Sequence, residues 1–286
     1  MFTKKKIQLE ITLQFGRFGN GTNTVVIDGL PVKVDIKKAG FPSMDEVSVT
    51  ILNLSRDMME SLTFLNFGLL KVNRNKIKVL AGTEDDLSLA FVGEITSAVP
   101  NFNNAPDVSL EIKAITGFSS KVEAVPPYTQ KGDIPVSQIC ETLAKDMGMT
   151  FVNKGVTKIA HNPVIKGSNT NKLINIAKAY DIGMTISNDI VTIYNVGDSS
   201  TRMMLSVDKD NGLLGYPSFT ENGINCKIEY NPNLNLGDKF HIDSVLPKVT
   251  GDWHVVSLAH HICANMQGDW CTDIEASYWS FFDAKG

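Results

Sequence analysis

The chain has 286 residues, enough for two or three domains, with 43% hydrophobic and 20% charged residues, the balance of an ordinary folded soluble protein. Its net charge of −4 supplies no general attraction for nucleic acid or anionic membranes, and local basic clusters are confined to Lys4 to Lys6 and Lys37-Lys38. No stretch approaches the roughly 18 apolar residues of a membrane span. Membrane insertion is not expected.

The first strand is expected at residues 7–15, where Ile7, Leu9, Ile11 and Leu13 alternate with Gln8, Glu10 and Thr12. That alternation also excludes the continuous apolar core of a signal peptide. Gly16, Gly19 and Gly21 could suggest a phosphate cradle, but a following helix and the P-loop lysine are both missing, so a mobile hairpin is expected. Residues 24–27 and 30–36 flank Asp28-Gly29, a strong turn signal. Val47, Val49 and Ile51 form the next strand, which runs on through Leu54. Ser55 then caps a short helix with Met58, Met59, Leu62 and Leu65 along its buried side. Strands at 76–81, 87–95 and 108–114 complete an arm whose short, turn-punctuated strands imply a barrel or sandwich. A linker holding Pro126-Pro127 and Gly132 follows.

Residues 133–195 are the one long stretch that reads as helix. Val136, Ile139, Cys140, Leu143, Ala144 and Met147 share one helical face, with Asp133 as the cap, Pro135 in the first turn and Gly148 as the stop. A second helix is capped by Ser168 or Asn169, presents Leu173, Ile176, Ala177 and Tyr180, and stops at Gly183. Each stop leads into a strand through Gly-Met-Thr, and strands 184–187 and 190–194 turn at Asn188-Asp189. The stretch is thus a small α/β island between two β arms. The second arm resumes near Met203, with strands expected at 224–230, 236–242, 253–262 and 271–278. Gly-Asp-Trp, at 251–253 and 268–270, launches the last two.

Several residues invite a chemical reading. His254, His260, His261, Cys263 and Cys271 could suggest a metal cluster, but adjacent His260 and His261 point to opposite faces of a strand, and His254 lies about 20 Å from His260. Glu84, Asp85 and Asp86 form a solvated turn, with no apolar pocket to raise a carboxyl pKa. Asp208, Asp210 and Asn211 resemble part of a calcium loop that lacks its bidentate glutamate. Trp253, Trp270 and Trp279 on alternating strands suit burial or subunit contact better than stacking on sugars or bases. The four cysteines lack CxxC spacing, so reduced thiols are expected, in a protein made and assembled in a cytoplasm. No catalytic, cofactor-binding or metal residue is assigned.

The second arm carries a series of motifs: Gly212-Leu213-Leu214-Gly215-Tyr216-Pro217, Gly223-Ile224 and Asn231-Pro232-Asn233-Leu234-Asn235-Leu236-Gly237, closing on Gly251, Trp253-His254-Val255, His260 and Trp270-Cys271-Thr272. With these motifs, and more weakly with residues 47–54, the order of the pieces resembles the baseplate hub proteins of contractile-tailed phages. The resemblance implies a mainly β chain with an α/β insertion: two tail-tube-like β-barrels, residues 1–125 and 201–286, flanking a two-helix α/β domain at 126–200. It also implies a structural, non-enzymatic homotrimer that joins the sixfold tail tube to the threefold central spike. Neighbouring wedge or tape-measure proteins are further partners, and DNA passes through the bore. Two rivals are weighed against it, a tail-tip cell-wall hydrolase and a glycan-binding module.

Overall fold

The computed structural model describes residues 4–19, 21–38, 40–63, 75–103, 105–195, 203–221 and 223–278. The N-terminal arm comprises β1 (Lys5–Thr12), β2 (Thr24–Asp28), β3 (Val32–Lys38), β4 (Glu46–Leu52), helix α1 (Arg56–Leu62), β5 (Lys76–Thr83), β6 (Leu87–Asn101), β7 (Ser109–Ile115) and the short helix α2 (Phe118–Val122). The island holds β8 (Tyr128–Thr129), β9 (Asp133–Pro135), α3 (Val136–Asp146), β10 (Thr150–Lys154), β11 (Ile159–His161), β12 (Val164–Ile165), α4 (Asn169–Ala179), β13 (Ile182–Ser187) and β14 (Ile190–Asn195). The second arm runs through β15 (Met203–Val207), β16 (Leu213–Phe219), β17 (Ile224–Glu229), β18 (Lys239–Ile242), β19 (Gly251–Ala264) and β20 (Trp270–Ser277).

Both arms belong to one 13-stranded sheet, ordered β16-β17-β20-β19-β3-β4-β7-β6-β5-β1-β2, with β15 and β18 branching from β19. The branch is a division of labour along one long strand. The first residues of β19, Gly251 to His254, pair with β18, while Leu258 to Ala264 pair with β3. The arms are therefore welded by a backbone ladder rather than standing apart. The pairing path among the described residues is open, with β2 and β16 at its ends.

Asp28-Gly29 does turn the chain, with Gly29 at φ 78°, but it makes no hairpin. β2 pairs with β1, whereas β3 pairs with β4 and β19. This fixes the curvature of the arm. β2 and β3 stand at opposite ends of the run β3-β4-β7-β6-β5-β1-β2, yet only residues 29–31 join them. Those residues span at most about 14 Å between Asp28 and Val32, while the run laid flat would be about 29 Å across. The sheet must roll up.

Three apolar cores form. Ile7, Leu9, Ile36, Val49, Phe91 and Ile112 lie in the first, which also takes Ile262 and Ala264 from β19. Val136, Ile139, Leu143, Leu173, Ile176 and Ile193 lie in the second, together with Met44 from the N-terminal arm. Ile224, Ile228, Phe240, Trp253, Val255 and Ile274 lie in the third.

Local signals hold in most places. Ser55 and Ser168 cap α1 and α4, accepting hydrogen bonds from the amides of Met58 and Asn171. Gly148 ends α3 at φ 70°, and Asn188 and Asp189 both take the positive φ of a tight two-residue hairpin. Leu65 lies outside the described residues. Two expectations fail. Asp133 is not the cap of α3: that position belongs to Pro135, and Asp133 sits in β9 with its carboxylate 2.6 Å from His161 Nδ1. Gly183 does not stop α4, because Asp181 takes the left-handed turn at φ 46°. Gly183 instead lies in β13 beneath the Tyr194 ring, where a Cβ would come within 1.8 Å of Tyr194 Cε2. Gly183→Ala should cost about 1–3 kcal/mol by overpacking, read from urea denaturation. Unchanged stability would show that the ring moves aside freely.

β16 is a strand that alternation alone does not reveal. Gly215, at φ 75°, and Pro217 interrupt it, and its register against β17 shifts between Leu214 and Ser218.

Candidate functional site: a buried junction, an apolar cavity and free sheet edges

Where β3 ends, all three parts of the chain meet. By strand alternation Lys38 falls on the same face as Val32, Val34 and Ile36, so its side chain points inward, and it is only 2% exposed. Asp45, 3% exposed, lies at the start of the neighbouring strand, attracts Lys38 electrostatically and accepts a 2.5 Å hydrogen bond from Ser187 Oγ of the island. Burial lowers the Lys38 pKa and raises that of Asp45, and each shift is opposed by the partner's charge. Asp238 of the second arm also attracts the ammonium. On β19, His260 is buried, with Nδ1 2.8 Å from Thr272 Oγ1 and its ring edge-on to Tyr230. Burial first, then the charges of Lys38 and His261, push its pKa down to about 3.

The island grips the N-terminal arm beside this junction with the tip of its hairpin. The Val92 amide donates to Asn188 Oδ1 at 3.2 Å, and Asp189 Oδ2 lies 3.2 Å from Lys76 Nζ. Phe41 and Ile115 pack against the island core. Between the island and the second arm is a cavity of 270 Å³ lined by Phe41, Pro42, Ile174, Ala177, Met184, Tyr194, Leu236 and Val255, with Lys178 and Val256 also on its walls. In the sequence Lys38 stands out only as part of a basic pair and His260 only as a metal candidate and a family motif residue; Asp45 and Ser187 carry no signal there, although the alternation that buries Lys38 is visible.

The chemically suggestive residues separate. Among the described residues, no group of three His, Cys, Asp or Glu is placed to hold a metal ion. His260 faces inward and His261 outward, where Nδ1 is 2.6 Å from Asp35 Oδ1. His254 is half-buried opposite Ser277, Cys263 is buried beside Gly268, and Cys271 stands opposite His261. Glu84 leads the β5–β6 turn and pairs with Lys4 at 2.8 Å, while Asp208 caps its own turn by accepting from the Asp210 amide. Trp253 is buried, donates to the Val249 carbonyl and stacks 3.9 Å from Tyr278. Trp270 meets Tyr230 edge-on and carries Lys5 above its ring. Trp279 lies outside the described residues.

Apolar groups are exposed along the outer strands. β16 carries no charged side chain, and exposes Leu214, Tyr216 at 78% and Phe219 at 57%; Val26 is exposed on β2. Uncharged, apolar edge strands are surfaces that proteins normally cover or blunt.

The fold recurs in solved phage tail proteins. The 43 kDa tail protein of prophage MuSo2 from Shewanella oneidensis superposes with a TM-score of 0.66 at 10% identity, covering 96% of each chain. A tail protein from Neisseria meningitidis gives 0.67 at 10% identity, covering 98% of each chain. Prophage tail protein gp18 from Listeria monocytogenes gives 0.51 at 6% identity, covering 96% of this chain and 95% of that one. No curated protein matches by sequence. The architecture is thus that of a mainly β phage tail protein. Residues 8–272 match the baseplate hub gp41 family, and the chain belongs to that family, a component of the phage tail baseplate.

Proposed function

We propose that the chain is a structural hub: a homotrimeric ring that joins the sixfold tail tube to the threefold central spike, catalyses no reaction and lets DNA pass through its bore. The observation that supports this reading, beyond family membership, is the pair of sheet edges left unpaired among the described residues: β2, which exposes Val26, and β16, which carries no charged side chain and exposes Leu214, Tyr216 and Phe219. Neighbouring copies would cover those edges, and cyclic closure leaves none open. The rolled N-terminal arm, and a second arm whose outermost strands β15 and β16 are joined by residues 208–212, support two barrel-like units per chain and six per trimer. Mass photometry and cryo-electron microscopy of the purified protein should find three chains in a ring. A ring of six, or a monomer at every concentration, would overturn the proposal.

The three cores support a division at residues 1–125, 126–200 and 201–286. Limited proteolysis should cut first within 126–132 and 197–201, whereas early cleavage within 139–147 would rule out the island as a folded unit. The outer face of the central strands mixes Lys33, Lys37, Lys113 and Lys227 with Asp35, Glu46, Glu111, Glu229, Asp273 and Glu275. A bore lined by such a face would give DNA few uncompensated cations to hold it. A bore dominated by Lys and Arg in the assembled particle would contradict this. Absence of clearing in a peptidoglycan zymogram, and no retention on purified peptidoglycan, would dispose of the hydrolase and glycan-binding readings.

A further inference from the structure

We propose that the cavity between the island and the second arm is a pre-formed binding site for a neutral two-ring aromatic group of the size of indole. Its walls come from three parts of the chain: Phe41 and Pro42 from the segment after β3, Met184 and Tyr194 from the island hairpin, and Leu236 and Val255 from the second arm. These walls are held independently of anything inside. The hairpin tip pins the island to the N-terminal arm through Ser187, Asn188 and Asp189. The β3–β19 ladder pins the N-terminal arm to the second arm. With two sides of the triangle fixed, the third cannot close, so the space persists instead of collapsing.

Size and lining select the occupant. At 270 Å³ the cavity is nearly twice the roughly 150 Å³ apolar cavity known to stay dry and take up benzene. The lining favours aromatic over aliphatic guests. Phe41 and Tyr194 offer ring faces and edges, Met184 a thioether, and Lys178 on the wall a cation for a ring face. The same chemistry is met in a free indole or in a tryptophan side chain.

The full-length protein titrated with indole, followed by calorimetry and by the shift in melting temperature, should show saturable binding at one site per chain. Ala177→Phe and Val256→Phe, which fill the space from opposite walls, should each weaken binding at least tenfold while leaving the cooperative melt intact; two fillers guard against one that fails to fold. N-acetyl-tryptophanamide in place of indole separates the sources. Equal or tighter binding of the amide assigns the site to a tryptophan side chain, and binding of indole alone assigns it to a free aromatic molecule. No saturable binding of either probe, or binding unchanged in both folded fillers, would overturn the proposal.

Discussion

Lys38→Met, with Asp45 left in place, should lower the unfolding free energy by about 1–3 kcal/mol, the cost of leaving a buried polar group without its compensation. The loss comes from what remains. Asp45 would keep the Ser187 hydrogen bond but lose the opposite charge that offsets its desolvation. Asp45→Asn should cost less, since Asp238 of the second arm still attracts the Lys38 ammonium. The double variant Lys38→Met, Asp45→Asn should recover most of the loss, because an uncharged pair has no ion to desolvate. Urea denaturation of the four proteins gives the cycle directly. A Lys38→Met loss below about 1 kcal/mol, or losses that simply add, would show that the two charges do not act as a pair.

The second large effect is acid sensitivity at His260. Burial holds its folded-state pKa near 3, far below its ordinary 6.5. As pH falls below 6.5 the unfolded chain takes up a proton that the folded chain refuses, so stability present above that pH is lost progressively down to about 3. At pH 4.5 the penalty is about 2–3 kcal/mol, two units of difference at about 1.4 kcal/mol each. Asp45 works the other way: its raised pKa stabilises the fold as pH falls through the carboxylate range, so the two must be separated by mutation. His260→Gln can keep a hydrogen bond to Thr272 and should flatten the stability profile between pH 7 and 4.5. The His260 reading fails if the slopes of variant and wild type coincide.

Much of this architecture could be read residue by residue. The caps at Ser55 and Ser168, the stop at Gly148, the Asn188-Asp189 turn and the strands launched from Gly251 and Trp270 all depend on interactions within a few residues. The misreadings share one cause. Asp133 carries a good cap side chain, but pairing of β9 with β11 turns it toward His161. Gly183 has the right residue type for a helix stop, but its place is set by the ring of Tyr194 across the hairpin. Asp28-Gly29 turns the chain as its residue types imply, but the strands on either side find partners elsewhere.

By itself, then, the sequence determined the alternation of apolar and polar faces, the two helices and their ends, and the motifs of the second arm that place the chain among baseplate hubs. Periodicity, capping and turn preferences are short-range, and they act before any distant contact forms. Only the tertiary structure decided that β19 joins β3 to weld the arms, that Lys38, Asp45, Ser187 and His260 converge on one buried junction, and that a cavity persists beside it. Strand pairing is carried by backbone groups that nearly every residue has in common. Which strand takes which neighbour is therefore settled by how the rolled sheet and the island bury their apolar faces together.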